Sequence, residues 1–208
     1  GKEADWGTLS TTQTDLYGGI FYIYENATLN LFGGIYDGTK ATISQGAVAV
    51  VGNSAAATMN IYGGTIKGGT ATSFGGNICT WGSPVITIAY NSASTSVPSI
   101  TNGTAATGAD IILRGTASSL VATYGKIGFV HATVGTATLG GTVQVDKLHL
   151  AGTTLVVNEF TEGASVAISM ATPGTFLSGC TDLTAFFKAF DSTYETIYDG
   201  ANMVLKKK

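Results

Sequence analysis

The feature that most constrains this chain is that it writes nearly the same fifteen residues twice. TLNLFGGIYDGTKAT, from Thr28 to Thr42, returns as TMNIYGGTIKGGTAT, from Thr58 to Thr72, thirty residues on and without a gap. A fixed period of this length marks an architecture of stacked units, each too small to bury its own apolar face. A second motif interleaves with the first. GIFYIYEN from Gly19, GAVAVVGN from Gly46, GNICTWGS from Gly76 and ADIILRGT from Ala109 follow one another at spacings of 27, 30 and 33 residues. Each opens on a small residue, runs through apolar or β-branched residues and closes on a turn former, which is strand punctuation.

Within these runs the apolar period is two, not 3.6. Leu29 and Leu31, Met59 and Ile61, Ile86 and Ile88, Phe21 and Ile23, and Val48 and Val50 each fall on one face of an extended strand. Two or three short strands per thirty residues, joined by Gly-rich corners, cannot form hairpins in register. They stack on their counterparts in the next unit, parallel and about 4.8 Å apart. The expected fold is therefore all-β: a parallel β-helix, a solenoid with coils of about thirty residues. Leu29, Met59 and Ile86 should form one internal ladder, and Asp37 should meet Lys67. Gly33-Gly34 and Gly63-Gly64 mark corners whose backbone angles side chains disfavour.

Composition agrees. Of 208 residues, 44% are hydrophobic and only 11% charged, with 29 Gly and 32 Thr, which suits β-branched pleats and glycine corners rather than a helical bundle or a disordered tail. The net charge of -3 offers a phosphate backbone nothing, so nucleic-acid binding is not expected. No apolar run is long enough to span a membrane as a helix. Cys79 and Cys180 stand in unrelated contexts and define neither a disulfide framework nor a metal site.

Organisation along the chain follows. Residues 1–17 read as an N-terminal cap with Trp6 on the core, 18–174 as solenoid coils and 175–208 as a C-terminal cap, all in one domain. Residues 92–108 read as a loop bulging from one rung, and later strands are spaced as short faces with tight corners. In the C-terminal cap, Leu183, Phe186, Phe187 and Phe190 at helical spacing predict a short helix over 181–190, N-capped by Thr181 or Asp182. A hairpin turning at Asp199-Gly200 should follow.

GGIFYIYENATLNLFGG, ATMNIYGGTIKGGTATSFGGNICTWG and VQVDKLHLAGTTLVVNEFTEGASVAIS resemble the repeats of secreted, cell-surface right-handed β-helix proteins of anaerobic bacteria. The resemblance runs from about Gly18 to Lys208. It implies right-handed winding, an extracellular or surface location, an adhesin-like or structural role and membership of a larger surface polypeptide. The chain departs from the pattern at Cys79, where those repeats carry Tyr, and at Tyr90-Asn91, where a Gly-Gly corner is lost.

β-Helices also serve as scaffolds for polysaccharide lyases and hydrolases, which group carboxylates on neighbouring rungs to bind calcium or do acid–base work. Stepping thirty residues from each acid finds no such stack: Asp37 meets Lys67, Glu25 meets Ala55, and Asp110 looks back on Asn77. Asp146, Glu159 and Glu162 are the remaining places for a hidden pair. Arg114 reads as a solvated residue, and His131 and His149, eighteen apart, match neither the coil period nor a metal-ligand spacing. The expectation is a non-catalytic protein with no cofactor and no metal.

Three roles stand beside one another: a stiff structural or adhesin-like surface module, a glycan or host-polymer binder, and an ice-binding face. For the second, strand parity turns Tyr22 and Tyr24 outward, and the repeat places Trp81 at Tyr24's coil position on a later turn and sets Phe32 over Tyr62. Such rings stack on sugars. The third needs aligned Thr-x-Thr pairs, which do not recur on one face.

Overall fold

A computed structural model describes residues 18–40, 42–52 and 56–208. The proposed N-terminal cap, with Trp6, and the partner expected for Glu25, Ala55, lie outside the described residues. Strands make up 57% of the described residues, and no helix occurs among them.

The strands follow the repeats. The first contributes β1 (Phe21–Ile23), β2 (Thr28–Asp37) and β3 (Thr42–Gln45), and the second β4 (Ala49–Val51), β5 (Thr58–Lys67) and β6 (Thr70–Phe74). The third holds β7 (Ile78–Thr80), β8 (Val85–Ile88), β9 (Ser99–Thr101) and β10 (Thr104–Thr107). Next come β11 (Ile111–Leu113), β12 (Ser119–Ala122), β13 (Lys126–Ala132), β14 (Thr136–Gly141), β15 (Gln144–Leu150), β16 (Thr154–Phe160) and β17 (Ser165–Met170). The chain ends with β18 (Thr175–Ser178), β19 (Phe187–Ala189), β20 (Tyr194–Tyr198) and β21 (Asn202–Lys207).

Pairing between repeats is parallel and joins like positions. Leu29 pairs with Met59 and Leu31 with Ile61; Met59 pairs with Ile86 and Ile61 with Ile88. The predicted ladder is present. From Ile88 it continues through Ala122 and Leu139 to Val157. Met59, Ile61, Ile86 and Ile88 are fully buried, and burying an isoleucine side chain stabilises by about 1.5–3 kcal/mol. A large parallel sheet of this kind is compatible with a β-helix.

The repeats also shorten. Phe21 pairs with Ala49, Ala49 with Ile78 and Ile78 with Ile111, steps of 28, 29 and 33 residues; beyond that, Ile111 pairs with Val130, Val130 with Leu148 and Leu148 with Ile168, steps of 19, 18 and 20. Early repeats carry an extra strand, and these extra strands form a separate parallel sheet in the order β10-β6-β3. The later repeats lack it. The expected thirty-residue period therefore holds only in the first half.

Two local expectations are corrected. Residues 92–108 are not simply a loop, because they contain β9 and β10. Pro98 precedes β9, where a missing N–H is harmless, and Ile100 pairs with Ile66 and is fully buried. Nor is there a helix over 181–190. Phe186 and Phe187 N–H groups both donate to the Leu183 carbonyl, and the Asp182 carboxylate caps the Thr184 N–H, so the helical spacing describes one turn. The chain then extends as β19, with Phe187 opposite Val166 and 2% exposed. Another strand on β17 satisfies an otherwise bare sheet edge, which a helix would leave unpaired. The hairpin does form: β20 and β21 are antiparallel, and Asp199 Oδ1 accepts the N–H groups of Ala201 and Asn202.

Candidate functional site

One outward column organises the surface. Register links Tyr22 to Val50, Val50 to Cys79, Cys79 to Ile112, Ile112 to His131, His131 to His149 and His149 to Ser169. Its middle is apolar because β3, β6 and β10 lie outside it. Val50, Cys79 and Ile112 are buried there, with Phe74 and Trp81 packed against them. At the cover's edge, a Cβ on Gly108 would lie 2.8 Å from Ile112 Cβ and 3.1 Å from His131 Cβ. Beyond it the column becomes polar.

The five aromatic residues picked out by strand parity and repeat position do not form one line. Tyr22 and Tyr24 are 50% and 42% exposed, with ring centroids 5.8 Å apart. Phe32 and Tyr62 form a second pair at 5.2 Å, tilted by 33°. A segment of the 92–108 region anchors the backbone beneath it: Thr95 N–H donates to the Phe32 carbonyl and Ser94 Oγ to the Tyr62 carbonyl. Trp81 is placed differently. It is half-buried, its Nε1 donates to Gln45 Oε1 at 2.8 Å, and its ring carries a guanidinium.

That guanidinium belongs to Arg114, which is not a solvated residue. Its Cζ sits 3.6 Å from the Phe74 ring centroid and 4.1 Å from that of Trp81, and one Nη donates to Gln45 Oε1. Cation–π contact with two rings explains the placement. The Cys79 thiol lies beneath this cluster, and burial pushes its pKa up to about 12 despite the nearby guanidinium. Neither Cys79 nor Cys180 forms a disulfide.

His131 and His149 are ladder partners after all, because the local period is eighteen. Their rings meet edge to face at 4.7 Å, and His149 Nδ1 lies 3.1 Å from Ser169 Oγ. Burial lowers both pKa values; His149 and Lys147 lower His131 further, and Lys147 lowers His149. Lys147 Nζ lies over Phe129 and Phe190, at 4.3 and 4.6 Å. Sequence reasoning missed this cluster because it carried the early period forward.

The aspartates among the described residues are engaged. Asp37 lies 3.2 Å from Lys67 Nζ, and its pKa is lowered mainly by hydrogen bonds from Thr39, with a smaller effect from Lys67. Asp146 lies 3.3 Å from Lys126. Asp110, 4% exposed, accepts from Asn77 Nδ2 at 2.8 Å, Gly103 N–H at 2.7 Å and Phe129 N–H at 2.8 Å. Burial nevertheless pushes its carboxyl above the ordinary range. The expected relation between Asp110 and Asn77 is present as a direct hydrogen bond. Glu159 and Glu162 are exposed. Among the described residues no three His, Cys, Asp or Glu side chains gather as a metal site, and no helix is long and apolar enough to cross a membrane.

Compared with protein-family models, curated proteins and solved structures, the chain matches none.

Proposed function

We propose that this chain winds as a right-handed parallel β-helix and serves as a non-catalytic, extracellular or cell-surface module with a structural, adhesin-like role. The observation that carries the reading is the parallel, in-register pairing of like positions over successive repeats. Such stacking yields a stiff body whose length is set by repeat number, suited to spacing or displaying attached parts. Handedness and surface placement come from the resemblance of the repeats. The non-catalytic reading is supported by the aspartates: Asp37 and Asp146 face lysines, Asp110 is locked among three donors, and Asp182, Asp191 and Asp199 cap turns.

A second reading, carbohydrate binding, is favoured by the exposed Tyr22–Tyr24 pair. Trp81 is the weaker platform, because Arg114 already occupies a face of its ring. The experiment is a glycan array with polysaccharide pull-down on the parent and a Tyr22→Ala/Tyr24→Ala variant. A blank array, with an elongated rigid particle in small-angle scattering, supports the structural reading. Binding lost in the variant supports the carbohydrate reading. Release of unsaturated sugars from any polysaccharide overturns the non-catalytic assignment.

A further inference from the structure

We infer that the open edge of β16 is a binding site for an extended polypeptide strand, supplied by another protein and carrying a basic residue near its C-terminal end. This does not depend on the winding hand or on any glycan.

Among the described residues β16 pairs with β14 alone and ends its column. The next strand in that position would be β18, but β18 turns away to pair antiparallel with β21, as an edge strand of the sheet β18-β21-β20. A groove of about 590 Å³ lies between them. Leu155, Val157 and Glu159 line one wall, and Leu177, Leu183 and Phe186 the other.

The inward side chains register the missing neighbour. Along the ladder Leu139 is fully buried, whereas its partner Val157 is only half-buried; Ala137 is fully buried and Leu155 is 6% exposed. The backbone says what would cover them. Thr154 N–H donates to the Gly135 carbonyl on the β14 side. Alternation in a parallel ladder then turns the N–H groups of Leu155 and Val157 toward the open edge. A row of donors and acceptors at strand spacing beside an apolar trough is matched by another extended backbone with alternating apolar side chains. The lining residues include the Glu159 carboxylate and no cation, which sets the charge the ligand should bring to that end.

The probe is a capped peptide with the sequence of Thr154–Phe160 carrying Glu159→Lys, stacked parallel so that its lysine meets Glu159. Light scattering keeps it below its own aggregation threshold. Titration into the full chain should give saturable binding, with hydrogen-exchange protection confined to residues 154–160 and 175–181. N-methylation of the peptide amides that face β16 should weaken binding at least tenfold. On the protein side, Val157→Pro removes an edge N–H without removing a β14 hydrogen bond, and should abolish binding. Absence of saturable binding overturns the inference, as does equal affinity for the N-methylated peptide or protection elsewhere. The N-methylated comparison uses unmodified protein, so it decides the matter even if Val157→Pro fails to fold.

Discussion

Removing the Asp110 carboxylate should destabilise the fold far more than its size suggests. Its oxygens accept from Asn77 Nδ2 and Gly103 N–H of the preceding repeat and from Phe129 N–H of the following one. In Asp110→Ala the Asn77 amide keeps the Thr101 carbonyl, but the Gly103 and Phe129 N–H groups lose their partner. Two part-buried donors left unpaired cost up to about 1–3 kcal/mol each, or up to about 2–6 kcal/mol together. Against a typical domain stability of about 5–15 kcal/mol that is a large fraction. Burial opposes this by raising the carboxyl's pKa, so a neutral isostere should recover part of the loss. Asp110→Asn keeps an oxygen for Gly103 and Asn77 and relieves the buried charge, but sets its own amide N–H groups against the Phe129 N–H, donor facing donor. The expected order of stability is parent, Asn, then Ala, measured by urea denaturation followed by tryptophan fluorescence. A loss under about 1 kcal/mol for Asp110→Ala, or equal losses for both variants, would refute the reasoning.

Three further outcomes are expected. Gly64 and Gly163 have nearly the same positive φ, +97° and +94°, but a Cβ at Gly64 would lie 2.8 Å from the Gly34 carbonyl oxygen, whereas one at Gly163 meets nothing within 4 Å. Gly163→Ala should cost about 1–2 kcal/mol from backbone strain alone, and Gly64→Ala clearly more, by thermal denaturation. Because His131 and His149 have depressed pKa values in the folded chain, the unfolded chain binds more protons. Their contribution is present above an ordinary histidine pKa of about 6.5 and is lost as pH falls through the lower folded values. Denaturation midpoints at pH 7.5 and 5 should differ less in a His131→Asn/His149→Asn variant than in the parent. Thiol titration of the native protein should modify Cys180 and spare Cys79, whose thiol is buried with a pKa of about 12; both should react in denaturant.

Legibility in the sequence tracked how local the governing contacts are. The ladder through Leu31 and Ile61 was readable because equal residues at equal coil positions face equal surroundings. Asp37 with Lys67 and Asp110 with Asn77 were found by stepping along the same period. The step failed once the extra strand disappeared, so the pairing of His131 with His149 went unrecognised until the eighteen-residue register was known. Arg114 was misread because its partner Phe74 lies forty residues earlier, on the covering sheet. Over 181–190 the apolar spacing was real, but a bare edge on β17 competed for the same residues and took Phe187 to Ala189 as a strand. The pair Tyr22–Tyr24 followed from strand parity and Phe32–Tyr62 from the thirty-residue match, whereas the Trp81–Arg114 contact required knowing the outer sheet.

The change from repeats of 28–33 residues to repeats of 18–20 gives the parallel ladder two kinds of rung. Both advance about 4.8 Å per repeat, since that is the distance between neighbouring strands. The later portion reaches each increment with roughly a third less polypeptide. Evolution or a designer wishing to lengthen the body most economically would duplicate a unit such as residues 126–143, leaving the thicker portion to carry whatever decoration its outer layer supports.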